Sequence, residues 1–102
     1  MDSENQQLQL FRALNAIFQQ KKAADYFIKF NVIPAILTGM KRFSKKSVHT
    51  AGLSLLTMIL SFESGLKSAK ESNVKDLIGD TCKQHVSDPV VAHMIENITS
   101  ML

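Results

Sequence analysis

The chain has 102 residues, of which 45% are hydrophobic and 21% charged, a balance that excludes wholesale disorder and suits one folded unit. Twelve Lys and Arg against nine Asp and Glu leave a formal net charge of +3, with no long run of one sign. The single cysteine, Cys82, excludes an internal disulfide, and no apolar run approaches the roughly 18 residues needed to cross a bilayer.

Met1 to Gln7 is polar and lacks the apolar core of a signal peptide, so the expected location is the cytoplasm, or the nucleus. Asn97-Ile98-Thr99 matches a glycosylation sequon but, in such a chain, reads as incidental. Glu4 to Gln19 contains no Gly or Pro and is rich in Gln, Leu and Ala, which predicts a helix that Ser3 could cap. Leu10, Leu14, Ile17 and Phe18 fall on one stripe of it, with Phe11 beside them. After a corner at Gln20 to Lys22, a short helix carries Ala23, Phe27 and Phe30, with Ala24 and Tyr26 alongside. It should close at Asn31, a residue that tolerates the left-handed conformation of helix ends. Pro34 then falls in the first turn of a middle helix, where its missing N–H costs nothing. Ile33, Ile36, Leu37 and Met40 give that helix its apolar face, and Lys41 and Arg42 suit the negative end of its dipole.

Ser44 to Ser47 reads as a loop with Ser47 as N-cap of a long helix. Val48, Ala51, Leu55, Leu56 and Ile59 form a broad apolar face, and Leu53 and Leu60 lie to another side, so several neighbours must cover this helix. Gly52 costs about 1 kcal/mol relative to Ala in mid-helix, which suggests close approach of another helix. The pattern then restarts. Leu66 and Ala69 mark a short helix ending near Ser72-Asn73, and Val74, Leu77, Ile78 and Cys82 a middle one. A loop at His85 to Ser87 precedes Asp88-Pro89, a cap followed by a first-turn proline. Val91, Met94, Ile95, Ile98, Met101 and Leu102 belong to a final amphipathic helix.

The restart is a repeat. Phe30-Asn31-Val32 and Ser72-Asn73-Val74 stand 42 residues apart (73 − 31), as do Leu14 and Leu56 (56 − 14). Ile95 follows Leu56 by 39 (95 − 56), which shortens the second unit by three residues. A period near forty residues with a short, a middle and a long helix falls in the armadillo and HEAT range. Asn31-Val32-Ile33-Pro34-Ala35-Ile36 resembles the armadillo Gly-x-Ile-Pro-x-Leu step, with Asn in the glycine place. Ala51 to Ile59 resembles the family's third helix, and Asp88-Pro89-Val90-Val91 its Asp-Pro-Glu-Val opening. The resemblance covers nearly the whole chain, with HEAT-like repeats as the close alternative. It implies an all-α fold, a right-handed α-α superhelix of about two and a third repeats. Residues 1–102 would form a single domain: a leading third helix over 1–20, a full repeat over 21–62 and a more degenerate repeat over 63–102.

Armadillo proteins bind extended peptides along their third helices through a ladder of Asn side chains. That position here reads Ala16, Met58 and Asn97, and only Asn97 matches, so binding without a full ladder is expected. The expected function is a non-catalytic protein–protein interaction or scaffold module, with Asn15, His49, Ser54, His93 and Asn97 as polar binding residues on the long helices. The incomplete first unit and the terminal Met101-Leu102 suggest a piece or short form of a longer solenoid, whose partner is another protein, neighbouring repeats or a second copy through uncapped ends. A purely structural segment that stacks on neighbours is a blander form of the same idea. The alternative is a small basic domain that binds nucleic acid or anionic lipid through Lys41, Arg42, Lys45 and Lys46. Only Phe43 is interleaved there, too little for a base-stacking platform, and Ser44 after Arg42 is a weak phosphorylation candidate. No phosphate loop, paired carboxylates or nucleophile signature is present, so no cofactor, small-molecule substrate or enzymatic activity is expected. His49, His85, His93 and Cys82 do not have zinc-ligand spacing.

Overall fold

A computed structural model of the chain describes residues 3–30, 32–43 and 45–102. These residues form seven α-helices and one short 3-10 turn, with no strand among them. The helices are α1 (Ser3–Ile17), α2 (Lys21–Lys29), α3 (Val32–Arg42), α4 (Lys46–Leu60), α5 (Glu63–Glu71), α6 (Val74–Thr81) and α7 (Pro89–Met101), with the 3-10 turn at Lys83–His85 before α7.

Local sequence accounts for most boundaries. The α1 ladder tightens at its end, where the Gln19 and Gln20 N–H groups bond to Ala16 and Ile17 carbonyls at 3.3 and 3.0 Å. Phe18 is buried at that corner and anchors it. Asn73 has φ 58°, the left-handed conformation that ends α5, and its carbonyl accepts from Asp76 and Leu77 N–H at 3.1 Å to start α6. Its expected counterpart, Asn31, lies outside the described residues. Asp88 caps α7: its Oδ1 accepts from the Val90 N–H at 2.9 Å and the Val91 N–H at 3.4 Å, ahead of Pro89 in the first turn.

Two expected caps are not formed. Ser3 is already the first residue of α1. Helix α4 begins at Lys46, with extended Lys45 in the N-cap place and no side-chain cap bond. Ser47 is therefore inside the first turn rather than ahead of it, and its hydroxyl makes no hydrogen bond within the described protein.

Burial follows the expected stripe closely in α3, where Ile33, Ile36, Leu37 and Met40 are all buried. In α1 it does not. The covered face is Leu8, Phe11 and Phe18, with Leu14 and Asn15 half-buried, whereas Leu10 is 52% and Ile17 38% exposed. In α2 the buried residues are Ala24 and Ile28, while Tyr26 and Phe30 stand in solvent at 60% and 65%. Leu77 of α6 is also exposed, and the buried residues of that helix are Val74, Ile78 and Thr81, with buried Cys82 just after it.

Helix α4 is the centre of the molecule, with Val48, Leu53, Leu55, Leu56, Ile59 and Leu60 buried. Helix α1 packs along one side of it and α7 along the other, with α3 and α5 across its remaining surface. Helix α2 packs on α5 and α3 on α6, so each helix of the first triplet touches its counterpart in the second. Gly52 is where α4 admits its neighbours: a Cβ there would stand 2.6 Å from the Met40 side chain and 3.2 Å from the Phe11 ring. The whole is a slab of 33 × 32 × 18 Å. No helix of the described residues is long and apolar enough to cross a membrane.

Candidate interaction surfaces

Asn15 and Ser54 come together across the seam of α1 and α4. The Asn15 Nδ2 donates to Ser54 Oγ at 3.5 Å, at the edge of a groove of about 270 Å³ whose other walls include Leu8, Phe11, Arg12 and Thr50. Two buried polar atoms in this groove, Asn15 Oδ1 and Ser47 Oγ, have no hydrogen-bond partner within the described protein. Such groups cost about 1–3 kcal/mol when left unpaired in a protein interior. Both atoms are buried beneath the groove, so the polar groups it offers at its surface are the exposed Arg12 side chain and the half-buried Ser54.

His93 and Asn97 sit together on the exposed side of α7, where the Asn97 amide meets His93 Nε2 at 3.3 Å one turn away. The register that aligns the long helices places Arg12, Ser54 and His93 at equivalent positions, and Ala16, Met58 and Asn97 at the next. Ser54 and Met58 are half-buried and the other four exposed, so both rows reach the surface.

His49 is set apart from this face. It is only 2% exposed, with Nε2 2.7 Å from the Phe43 carbonyl, which must accept, so that nitrogen carries the ring proton. Its ring meets His85 edge-on at 4.9 Å between centroids. The ring thereby pins the α3–α4 corner against the 3-10 turn, and its Nδ1 is buried without a hydrogen bond.

The basic stretch is knitted to the second triplet. Lys46 Nζ lies 2.7 Å from Asp88 Oδ2, and Lys41 Nζ lies 3.6 Å from Asp80 Oδ2. The Arg42 guanidinium stands 5.4 Å from the Phe43 ring centroid, and Lys45 is exposed at the head of α4. The Lys46 hydrogen bond, assisted by the Val91 and Val90 N–H groups, holds the Asp88 carboxyl below its ordinary range. A hollow of about 420 Å³ beside this stretch is lined by Lys41, Arg42 and Lys83 but equally by Glu4 and Asp80. Its mixed charge does not single out an anion. Ser44, the phosphorylation candidate, lies outside the described residues.

Cys82 is buried and burial pushes its thiol up to about 11, so it is neutral and unreactive near pH 7. Among the described residues no three His, Cys, Asp or Glu side chains gather as they would to hold a metal ion. Two features escape the sequence reading. Asp88 serves Lys46 as well as its own helix, which no local motif signals. The exposed Tyr26 and Phe30 could have been found, because the 42-residue register sets them opposite Ser68 and Ser72. Compared with known proteins, the chain matches no family model, no curated protein and no solved structure.

Proposed function

We propose that this chain is a non-catalytic protein–protein interaction module of armadillo-like helical repeats, coiled as a right-handed α-α superhelix and working in the cytoplasm or nucleus. Its long helices α1, α4 and α7 would hold an extended segment of another protein, with Arg12, Asn15, Ser54, His93 and Asn97 as contacts. The observation that carries this reading is the packing of α1 on α4 and α4 on α7, which brings the long helices together around a groove lined by Arg12, Asn15 and Ser54. An extended peptide supplies N–H and C=O groups that would pair with such side chains.

Panning a random peptide library on the immobilised protein tests the reading. Enriched peptides should lose about tenfold or more in affinity to Asn15→Leu/Ser54→Leu and His93→Ala/Asn97→Ala variants that keep their helicity. Peptides that bind all variants equally, or no enrichment at all, would sink it. The alternative, nucleic acid or anionic lipid bound through Lys41, Arg42, Lys45 and Lys46, has less support because Lys41 and Lys46 already face carboxylates. It requires binding that weakens steeply with added salt.

A further inference from the structure

The Tyr26 and Phe30 rings stand 4.8 Å apart between centroids, and Tyr26 meets Phe27 edge-on at 5.7 Å. Lys22 lies one turn before Tyr26 on the same stripe of α2, and Lys29 adjoins Phe30; both lysines are exposed. Two large aromatics held together in solvent make an apolar patch of the kind that marks an interaction site.

The repeat register says what such a stripe does elsewhere in this molecule. Moving Lys22, Tyr26 and Phe30 forward by 42 gives Ser64, Ser68 and Ser72 at α5. That is the side on which α5 meets α2: the Ser64 hydroxyl donates to Asp25 Oδ1 at 3.2 Å, and Ser68 and Ser72 are half-buried. On α5, then, the stripe meets a helix at Ser64 and is half-buried at Ser68 and Ser72. On α2 the same stripe carries aromatics, and Tyr26 and Phe30 are exposed. Helix α1 repeats the contrast. Its exposed Leu10 and Ile17 correspond to Gly52 and Ile59 of α4, both buried.

We infer that the Lys22–Tyr26–Phe30 stripe of α2 is a docking surface for an amphipathic α-helix of a partner protein, apolar on one side and flanked there by Asp and Glu. The inference rests on the repeat correspondence proposed above, not on peptide binding by the long helices. The occupant is a helix because a helix, α2, meets the equivalent stripe of α5 at Ser64. It is acidic because Lys21, Lys22 and Lys29 are exposed along α2, while that helix's one carboxylate, Asp25, is turned toward Ser64. A second copy of the chain would set two such lysine rows face to face, which disfavours self-pairing.

The probe is a synthetic helix of about 20 residues with leucines on one stripe and glutamates beside it, with a lysine-flanked twin as control. Fluorescence anisotropy on the full chain should give binding by the glutamate helix at least tenfold tighter than by its twin. Tyr26→Ser/Phe30→Ser, which installs the residues found on α5, should weaken it about tenfold or more. Lys22→Glu/Lys29→Glu should reverse the preference between the two helices without disturbing the aromatics. Circular dichroism confirms that each variant keeps its helices. No binding by the glutamate helix at millimolar concentration, or binding that ignores both pairs of substitutions, overturns the proposal. So does concentration-dependent self-association that Tyr26→Ser/Phe30→Ser abolishes, since the occupant is then a second copy. Amide NOEs between α2 and α5 in the free protein test the repeat stacking separately: if they are present and the probe fails, only the docking proposal falls.

Discussion

Helices α4 and α7 occupy the same place in successive triplets, yet they are held by opposite means. Helix α4 has a long helix on each side and buries eight of its residues, but its first turn has no side-chain cap. Helix α7 has one long helix, α4, and the short α6 beside it and buries just Val91 and Ile98, but it starts with a fully formed Asp-Pro cap. Burial acts over the whole length of a helix and scales with covered area, whereas a cap acts only on the first turn. The molecule therefore depends far more on the centre of α4 than on any residue of α7.

That asymmetry predicts the largest effect. Leu56→Ala removes a fully buried side chain from between several helices and should cost about 3–5 kcal/mol. In a domain of this size, which buries only about 60–65% of its unfolded surface, such a loss approaches the whole stability. Ile95→Ala, at the half-buried counterpart of Leu56 in α7, should cost no more than about half as much. Urea unfolding followed by circular dichroism measures both. Equal losses would mean that α7 is as well covered as α4.

The two later glycines sharpen the same contrast between crowded and open positions. A Cβ on Gly65 would run into the Ile59 carbonyl at the α4–α5 corner, and backbone cannot move aside as a side chain can. Gly65→Ala should destabilise by about 1–3 kcal/mol despite Ala's better helix propensity. Gly79 of α6 has open space around the same point, and Gly79→Ala should stabilise by about 0.5–1 kcal/mol. Thermal midpoints that move the same way for both would contradict the crowding at the corner.

What the sequence made legible was mostly local. The α3 stripe, the Asp88 cap and the tight approach at Gly52 depend on residues within a turn or two, or on one missing side chain. The α1 face was not legible for a physical reason. A period of 3.6 admits either Leu10-Leu14-Ile17 or Leu8-Phe11-Asn15-Phe18, and only the position of α4 decides between them. The second set includes a polar Asn, which an apolar count passes over. His49 misleads in the same way, since a backbone carbonyl six residues earlier satisfies one ring nitrogen and lets the ring be buried. Among the binding residues, the register places Ser54 opposite Arg12, so the Asn15–Ser54 contact, like the burial of His49, needs the three-dimensional packing.

A smaller effect tests the end of α7 through pH. The folded-state Asp88 carboxyl lies below the ordinary 3.8, chiefly through its hydrogen bond to Lys46. A depressed carboxyl stabilises the fold above its unfolded value, and the contribution is lost as pH falls below 3.8. Asp88→Asn keeps an acceptor for the helix N–H groups but has no charge to titrate. Wild type should exceed this variant in stability at pH 7, and the gap should close by about pH 2. A gap independent of pH would place the cap's value in geometry alone.

The smallest expected effect asks whether α4 can be given what α7 has. Lys45 stands at the N-cap of α4 with φ −66° and ψ 131°, the extended conformation a capping side chain uses, but it has no acceptor to offer the first-turn N–H groups. Lys45→Asp supplies that acceptor and places a negative charge at the positive end of the helix dipole. The gain should be about 0.5–1 kcal/mol by urea unfolding, well below the loss from Leu56→Ala. Because Lys45 is exposed, the substitution disturbs no packed neighbour, and hydrogen exchange should slow in the first turn of α4 and not in α7. An unchanged first turn would mean that its order already comes from the burial of Val48 and His49, with nothing left for a cap to add.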